Sequence, residues 1–353
     1  MKRIGVLTSG GDAPGMNAAI RAVVRTGLSK NISTIGFKRG YNGLLMRSES
    51  NQEDFKILTS RDVSGTVQRG GTFLMTARCL DFLELANQKK AVENLHSLGV
   101  EGLVCIGGDG TFRGARALKE LGFPVIGVPG TIDNDLAYTD YTIGFDTALD
   151  TAIENIDRIR DTCGSHERAS LVTVMGRNCG EIAMNTALAC GAEIVMVPEI
   201  PWSLEEVAEK VKWASLNGKN SLIMILAEGA GSSLTSDVNA ICEKDERLKG
   251  INAEHLSSSG IAQIVEVLSG HEVRATVLGY TQRGGNPSAM DRIMAGRMGS
   301  YAVDLFEQGI SGVVVGLKGG KLISLPVEEA LDTRNDGEKI LKLKNLVETM
   351  AGI

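Results

Sequence analysis

Short apolar runs that lead into glycine-rich loops and then into helical patterns are the feature of this sequence that most constrains its fold. The run Ile4–Thr8 predicts a buried strand, residues 10–15 predict a turn, and Asn17–Leu28 predicts a helix. The runs Leu103–Ile106 and Val125–Val128 repeat the buried-strand pattern. Because strands that alternate with helices form mostly parallel, doubly wound sheets, we predict an α/β fold whose ligands bind beyond the carboxyl ends of the strands.

The rest of the chain extends this alternation. Apolar residues at helical spacing over 145–159 predict a long helix, and Ser203 followed by Glu206 is a capping-box pattern that opens a helix ending near Leu216. The polar stretch 229–260 predicts a surface excursion with short helices. Further strands are predicted at Leu171–Val174, Leu222–Ala227, Val273–Leu278 and, as the last strand of the chain, Val313–Leu317.

Length and charge limit the classes of function. A chain of 353 residues is long enough for two domains. Its net charge of −6 gives no electrostatic reason to expect nucleic acid or an anionic membrane as a partner, and its apolar runs are shorter than the ~20 residues of a membrane helix. The six cysteines form no Cys-x-x-Cys pair, so structural zinc is not expected and a reducing cytoplasm is the expected location.

Two glycine-rich motifs follow predicted strands. Gly10–Gly15 (GGDAPG) precedes a predicted helix, and the amides of such a segment either cradle an anion or merely close a tight turn. In Gly107–Thr111 (GGDGT), the glycines let the backbone approach a nucleotide, and Asp109 can hold a divalent metal directly or through water. The alternative role for Asp109 is to cap the following helix. Three glycines around one carboxylate are unfavourable for a plain cap, which favours the nucleotide site.

The segment Pro129–Asp135 (PGTIDND) adds a hydroxyl and two carboxylates at the end of another predicted strand. If the segment is extended, Thr131, Asp133 and Asp135 point to one face and meet in one place. Carboxylates this close ionise together only when a metal ion or an arginine offsets their charge. Asp133 is the candidate general base, which would take the proton from an attacking alcohol, and the alternative is an Asx-type turn with solvated carboxylates. With Asp109, this chemistry indicates a sugar-phosphate kinase.

Arginines beside glycine-rich or strand-end segments are candidates for holding phosphate, since the guanidinium group matches phosphate oxygens. These arginines are Arg78, Arg168, Arg177, Arg274 and Arg283. For any one of them a surface ion pair is the alternative, but the contexts MGR at 175–177 and QRGG at 282–285 favour a functional role for two of them. Arg21 and Arg25, one helical turn apart, form either a second cationic site or a solvated helix face.

These motifs, in this order, resemble the bacterial ATP-dependent 6-phosphofructokinases of the phosphofructokinase A family almost from end to end. The matching segments are residues 5–17, 69–72, 107–111, 129–135, 175–177 and 282–285. The resemblance implies two Rossmann-like doubly wound α/β domains with mostly parallel sheets and the active site in the cleft between them. It implies an ATP-binding domain over 1–144 plus 282–332, a sugar-phosphate-binding domain over 145–281 plus 333–353, and a homotetramer.

The resemblance also implies the reaction. The γ-phosphoryl group of ATP would pass to the 1-hydroxyl of fructose 6-phosphate, which gives fructose 1,6-bisphosphate and ADP. The implied catalytic residues are Asp133 as the base, Thr131, Arg177, Arg78 and the Gly11 amide. Asp109 would serve Mg²⁺. The residues implied to hold ATP are Gly11, Tyr41, Arg78, Cys79, Gly108, Asp109, Gly110 and Thr111.

The sugar phosphate and an effector have implied sites of their own. The implied sugar-phosphate residues are Thr131, Asp133, Asp135, Met175, Gly176, Arg177, Glu228, Tyr280 and Arg283, with Arg168 and Arg274 contributed by a neighbouring subunit. Tyr280 replaces the histidine usual in the family, so it can hydrogen-bond phosphate but cannot carry positive charge. An effector site for ADP or phosphoenolpyruvate is implied by Arg21, Arg25, Arg160, Glu193 and Lys219.

The implied effector site departs from the family pattern. Ser60 replaces an arginine, Gly65 an aspartate, and Asn217 and Asn220 replace basic residues. Because fewer cations bind an anionic effector more weakly, we predict blunted allostery.

Three other functions stay open. One is a pyrophosphate-dependent phosphofructotransferase, although Gly110 and Gly130, where those relatives carry Asp and Lys, leave space for ATP. Another is a diacylglycerol or NAD kinase, since those families share the GGDGT motif alone. The third is a non-catalytic subunit that binds sugar phosphate. The argument against this function is the presence of Asp109, Asp133 and Arg177, which such a subunit would not need. A related acceptor such as tagatose 6-phosphate also stays open.

Overall fold

The computed structural model describes residues 1–46, 51–219, 221–333 and 337–352. The chain divides into two compact units. Unit 1 comprises Met1–Ala148 and Arg283–Asn335, and unit 2 comprises Leu149–Gln282 and Asp336–Ile353. The assignment of ATP to one predicted domain and of the sugar phosphate to the other stays a prediction.

Strands and helices alternate along most of the chain. The strands are β1 Arg3–Thr8, β2 Ser33–Phe37, β3 Phe55–Leu58, β4 Leu103–Gly107, β5 Val125–Pro129, β6 Ala169–Val174, β7 Ile194–Met196, β8 Leu222–Ala227, β9 Val273–Val277, β10 Val313–Lys318 and β11 Lys321–Pro326. The helices are α1 Met16–Ser29, α2 Tyr41–Leu44, α3 Asn51–Asp54, α4 Leu85–Ser97, α5 Asp109–Glu120, α6 Phe145–His166, α7 Glu181–Cys190, α8 Leu204–Leu216, α9 Val238–Glu243, α10 Ser258–Ser269, α11 Ala289–Glu307, α12 Val327–Asp332 and α13 Glu338–Ala351. No helix in the described ranges is both long and apolar enough to span a bilayer.

Unit 1 is built on a seven-stranded sheet in the order β11-β10-β5-β4-β1-β2-β3. Its interior strands pair in parallel, and β3 and β11 pair antiparallel at the two edges. The predicted strands of this unit are confirmed, but Val313–Leu317 is not the last strand. Gly319 and Gly320, with φ of 55° and 79°, turn the chain back after β10, so β11 follows as an antiparallel edge.

The central strands of unit 1 are buried on both faces, which explains why they read as continuous apolar runs. Val6, Val104 and Ile126 each have 0% exposure. Helix α1 packs against α11, and α5 packs against β4 and β5. Burial of each large apolar side chain contributes about 1.5–3 kcal/mol, so the strand ends form a rigid platform for the loops that follow them.

Unit 2 is built on a four-stranded parallel sheet in the order β7-β8-β6-β9. Strands β6 and β8 end together, with Val174 paired to Ala227. The capping prediction is confirmed, because the Ser203 side chain accepts the Glu206 N–H at 3.1 Å where α8 begins. The predicted excursion over 229–260 is also confirmed as short helical segments.

Candidate active site

The two glycine-rich motifs of unit 1 lie side by side, because β1 and β4 are neighbours in the sheet. The Ser9 N–H donates to the Ile106 carbonyl at 3.0 Å, and the Thr111 hydroxyl donates to the Ser9 carbonyl at 3.0 Å. A Cβ on Gly107 would lie 2.2 Å from Thr111 Oγ1 and 2.4 Å from the Ser9 carbonyl oxygen. Only glycine fits this close approach, so the motif pattern follows directly from the packing of the two loops.

Both motifs lead into helix N-termini. Helix α1 begins after Gly15, whose φ of 107° lies in the left-handed region, and α5 begins at Asp109 directly after β4. The positive ends of the two helices therefore lie at the carboxyl edge of one sheet. Backbone amides at such ends favour anions, as the predicted phosphate cradle requires.

Asp109 is the first residue of α5 and does not cap the helix. Gly108 occupies the N-cap position, and the Asp109 carboxylate instead accepts bonds from Arg113 Nε at 2.9 Å and Nη2 at 3.4 Å. Hydrogen bonding to Asp109 raises the pKa of the Arg113 guanidinium. The capping alternative is therefore wrong, and the carboxylate is held by a side-chain partner at the helix surface.

Asp109 offers one carboxylate to a metal ion, and Mg²⁺ can be held by a single protein carboxylate. The Asp109 side chain is 36% exposed, and the described ranges hold no cluster of three or more His, Cys, Asp or Glu residues suited to a metal. Mg²⁺ commonly binds through one or two carboxylates and completes its shell with water and substrate phosphates. A single half-exposed carboxylate beside a phosphate cradle meets that requirement, and the assignment of Mg²⁺ to Asp109 stays a prediction.

The segment Pro129–Asp135 is a turn and not an extended strand, so the predicted alternation of its side chains is wrong. β5 ends at Pro129, Asn134 adopts a φ of 49°, and the Asp133 N–H donates to Thr131 Oγ1 at 3.2 Å. Asparagine adopts this left-handed conformation more readily than most other residues with a side chain. The Asp133 carboxylate is not solvated, as the Asx-turn alternative would have it, since Asp133 is only 4% exposed, whereas Asp135 is half-buried.

Thr131 lies against the nucleotide motif. A Cβ on Gly108 would come within 3.5 Å of the Thr131 Cβ, and the Gly130 N–H donates to the Gly107 carbonyl at 3.0 Å. The structure thus brings Asp109, Thr131 and Asp133 to the ends of two neighbouring strands.

Arg283 also belongs to this corner of unit 1. A Cβ on Gly11 would lie 1.9 Å from Arg283 Nη1, and the same nitrogen donates to the Asp12 carbonyl at 3.3 Å. A Cβ on Gly70 would lie 2.0 Å from the Gly285 carbonyl oxygen. The guanidinium group predicted to bind the sugar phosphate therefore packs over the predicted phosphate cradle.

Tyr41 is used inside the fold. It is 4% exposed, its hydroxyl donates to the Thr111 carbonyl at 2.5 Å, and its ring stacks on Phe82 with centroids 4.4 Å apart. Burial raises the pKa of the Tyr41 hydroxyl. Tyr41 therefore contacts the first turn of α5 from inside the fold. Of the other two residues, Arg78 is exposed and Cys79 is half-buried. Contacts of these residues with ATP stay predictions.

In unit 2, the loop after β6 is held by the residues after β8. The Glu228 carboxylate accepts the Arg177 N–H at 2.6 Å, and a Cβ on Gly229 would lie 2.1 Å from the Arg177 carbonyl oxygen. Gly176 and Arg177 have φ of 133° and 54°. A left-handed arginine is strained by about 1–3 kcal/mol and persists only where neighbours hold it, as they do here.

Arg168 and Arg274 share one carboxylate. Glu272 Oε1 lies 2.8 Å from Arg274 Nη2 and 3.8 Å from Arg168 Nη1, because β6 and β9 are parallel neighbours. Two cations and one anion leave a local positive charge that suits a phosphate. Tyr280 follows β9 and is 83% exposed.

Two further residues of this site were missed by the sequence reasoning. Gln282 is fully buried, and its Oε1 accepts the Met175 N–H at 2.9 Å. Its position in the QRGG motif was the available signal. Glu272 directly precedes β9 and lies two residues before Arg274. Alternate residues of an extended chain share a face, so that spacing could have paired them.

The implied effector residues are distributed over both units. Arg21 and Arg25 lie on α1 of unit 1. In unit 2, Arg160 donates to the Cys190 and Gly191 carbonyls at 2.7 and 3.2 Å, and Lys219 donates to the Ala351 carbonyl at 2.8 Å and lies 3.7 Å from Glu193. Asn220, one of the predicted departures, lies outside the described residues.

Known proteins resemble this chain along nearly its whole length. The Phosphofructokinase family profile matches residues 3–306. Over 331 residues, 94% of each chain, the sequence is 50% identical to an ATP-dependent 6-phosphofructokinase of Clostridium tetani and 48% identical to one of Clostridium botulinum. A solved phosphofructokinase of Saccharomyces cerevisiae matches 99% of this chain with a TM-score of 0.80 and 32% identity, and the chain spans 48% of the yeast chain's length.

Proposed function

The chain belongs to the phosphofructokinase family, and on that basis we propose that it transfers the γ-phosphoryl group of ATP to the 1-hydroxyl of fructose 6-phosphate, forming fructose 1,6-bisphosphate and ADP. The observation that carries this proposal is the 50% identity, over 94% of both chains, to a relative named for that reaction. The chemistry at the strand ends of unit 1 supports it.

Unit 1 carries the groups proposed to act on the transferred phosphoryl group. Asp133, buried at the end of β5, is proposed to take the proton from the 1-hydroxyl, with Thr131 beside it. The Gly11 amide and Arg78 are proposed to hold the oxygens of the transferred group, and the Gly108–Thr111 turn to hold the nucleotide. Mg²⁺ on Asp109 would offset negative charge on the donor phosphates when bound.

Unit 2 carries the groups proposed to hold the sugar phosphate. The strained loop Met175–Arg177, fixed by Glu228, would present the Arg177 guanidinium to the charge that develops in the transition state. Arg168 and Arg274 are proposed to bind the 6-phosphate in place of Glu272. We further propose a homotetramer in which these two arginines act on a neighbouring subunit's site.

ATP is proposed as the donor over pyrophosphate. Apart from its chain neighbours and the nearby backbone of its own helix, the added Cβ at Gly110 would meet no atom of the described residues within 4 Å, so a nucleotide has room there. At Gly130 the added Cβ would lie 3.0 Å from Ile106 Cγ2 and 3.3 Å from Met16 Cε, so a lysine would have to displace both side chains.

A coupled assay tests the proposal directly. The purified chain is given fructose 6-phosphate with either ATP or pyrophosphate, and tagatose 6-phosphate serves as the competing acceptor. We expect turnover with ATP and fructose 6-phosphate, without any added partner chain. Turnover with pyrophosphate alone would establish the phosphofructotransferase instead, and inactivity with both donors would favour a non-catalytic sugar-phosphate-binding subunit.

The base assignment has its own test. Asp133→Asn keeps the shape of the side chain but removes the acceptor of the proton, so we expect kcat to fall by about 10²–10⁴. Unchanged turnover in a folded preparation would overturn the mechanism. For regulation, we propose weak binding of ADP or phosphoenolpyruvate at the implied effector residues, Arg21, Arg25, Arg160, Glu193 and Lys219. Strong sigmoidal inhibition by phosphoenolpyruvate would contradict this proposal.

A further inference from the structure

A buried aspartate in unit 1 has no part in the chemistry proposed above. Asp291 lies in the first turn of α11 and has 0% exposure. Its Oδ1 accepts the Tyr141 hydroxyl at 2.6 Å and the Gly144 N–H at 2.5 Å. Its Oδ2 accepts the Thr147 N–H at 2.9 Å and the Thr147 hydroxyl. Four donors from one short segment, residues 141–147, thus converge on a single carboxylate.

At the start of α11, the Asp291 carboxylate does not make the local hydrogen bond to the helix backbone that its position allows. Ser288 caps the helix by accepting the Asp291 N–H at 3.2 Å, and in a capping box the Asp291 side chain would accept the Ser288 N–H in return. Here Thr147 Oγ1 accepts that N–H at 2.9 Å, and the Ser288 hydroxyl donates to Asp146 at 2.6 Å. The Asp291 carboxylate is left to hold the 141–147 segment.

The 141–147 segment in turn contacts the proposed reaction loop. The Thr142 hydroxyl lies 2.7 Å from the Thr131 carbonyl and 3.2 Å from Asn134 Oδ1, and it shares its single hydrogen between these two acceptors. The Ile143 N–H donates to the Pro129 carbonyl at 2.9 Å. Thr142 therefore bridges the segment held by Asp291 to both sides of Asp133.

The same segment packs against the proposed phosphate cradle. A Cβ on Gly144 would lie 2.6 Å from the Ala13 Cβ, and a Cβ on Gly15 would lie 2.5 Å from Ile143 Cγ2. One short segment therefore contacts both the loop that holds the proposed base and the loop that faces the donor phosphates.

We propose that Asp291 is a positioning residue for the reaction, which acts through Thr142 to fix the Thr131–Asp135 turn. The proposal rests on the proposed role of Asp133. A carboxylate is required because each of its oxygens accepts two donors. An asparagine would place its NH₂ group, which is a hydrogen-bond donor, against two other donors. The backbone N–H groups of Gly144 and Thr147 cannot act as acceptors, so whichever side the NH₂ group takes, one of them loses its acceptor. Loss of the anion should shift the turn without removing any group that touches substrate.

The test compares Asp291→Asn and Thr142→Val with Thr139→Val. Thr139 is a matched control, because it is 7% exposed and lies, like Thr142, in the loop between β5 and α6. Its hydroxyl bonds to the backbone of Tyr141 and Leu317 and not to the reaction loop. We expect Asp291→Asn and Thr142→Val each to lower kcat by about tenfold or more, since displacement of a reacting group by about 1 Å costs up to 10²-fold. KM for both substrates should stay within about twofold, and Thr139→Val should keep its kcat whatever it does to Tm.

The double variant distinguishes a relay from separate defects. If Asp291 acts through Thr142, the combined loss in kcat should not exceed that of the larger single variant by more than about twofold. Retained kcat in Thr142→Val, or a loss in Thr139→Val as large as in Thr142→Val, would overturn the proposal. If Asp291→Asn does not fold, the comparison of kcat between Thr142→Val and Thr139→Val decides alone. Normal turnover in Asp133→Asn would instead overturn the proposed function of the loop itself.

Discussion

The Glu228 carboxylate accepts a hydrogen bond from the backbone N–H of Arg177 at 2.6 Å. Arg177 is held there at a φ of 54°, and the neighbouring Gly229 leaves just enough space for its carbonyl group. Glu228 thus acts on the backbone of the loop that presents the Arg177 guanidinium, in addition to any contact with sugar.

Glu228→Ala should release this loop. Removing the acceptor of one charge-assisted bond costs about 1–3 kcal/mol, so we expect kcat/KM for fructose 6-phosphate to fall by about tenfold or more. Glu228→Gln keeps an acceptor oxygen and is the matched control, with a loss of less than about threefold if Glu228 serves only the loop. Steady-state kinetics at saturating ATP make the comparison. Equal losses in the two variants would mean that the negative charge itself contacts substrate.

Glu272→Gln should strengthen the binding of the sugar phosphate. Glu272 neutralises part of the charge of Arg168 and Arg274, and a bound phosphate would have to replace it. Exposed ion pairs contribute about 0.2–1 kcal/mol, so we expect KM for fructose 6-phosphate to fall by up to about fivefold at low salt. The difference should shrink at high ionic strength, where exposed charges are screened. A raised KM would show that Glu272 instead holds the two arginines in their binding positions.

Gly110→Asp should impair the use of ATP without unfolding the protein. The added side chain would enter open space in the first turn of α5, next to Asp109, and would bring a second negative charge to the donor site. We expect KM for ATP to rise by about tenfold or more. Gly110→Ala is the control, since alanine stabilises a helix relative to glycine by about 1 kcal/mol and adds no charge. Unchanged ATP kinetics in Gly110→Asp would remove the steric and electrostatic argument for ATP as donor.

The sequence predicts the strand platform better than the loops on it. The apolar runs of β4 and β5 are unambiguous because both faces of these strands are buried, and each run ends where its loop begins. The conformation of Pro129–Asp135 could not be predicted in the same way. Its left-handed residue, Asn134, is bonded to the Thr142 side chain, and no local pattern reports that contact.

The sequence indicates which residue types stand in the candidate site, but it does not indicate which residues they bond to or pack against. Asp109 was predicted as a carboxylate beside a nucleotide motif, and the structure adds Arg113 one turn later as its partner. Tyr41 lies beneath α5, because Gly114 leaves space for its ring, and the sequence spacing between these residues carries no sign of that contact. Tertiary packing decides such pairings, whereas periodicity reports only which face is buried.

Asp62 should make stability depend on pH in the acid range. Its pKa is lowered to about 2, chiefly by hydrogen bonding to Lys56 Nζ at 2.6 Å and also by the Thr59 hydroxyl and N–H. Because the folded-state pKa lies below the ordinary value of 3.8, the stabilisation is fully present above about pH 4 and is lost as the pH falls towards 2. Lys56 is 56% exposed, so the ion pair itself should contribute only about 0.2–1 kcal/mol.

Thermal unfolding of Asp62→Asn checks this expectation. At pH 7 we expect Tm to fall by about 1–3 °C, and the difference from the unsubstituted chain should narrow steadily between about pH 4 and pH 2.5. Lys56→Met is the matched control, because it removes the main partner but leaves the Thr59 bonds, and should give a smaller loss with the same pH dependence. A Tm difference that stays constant from pH 7 to pH 2.5 would show that the side chain stabilises the turn through its shape and not through its charge.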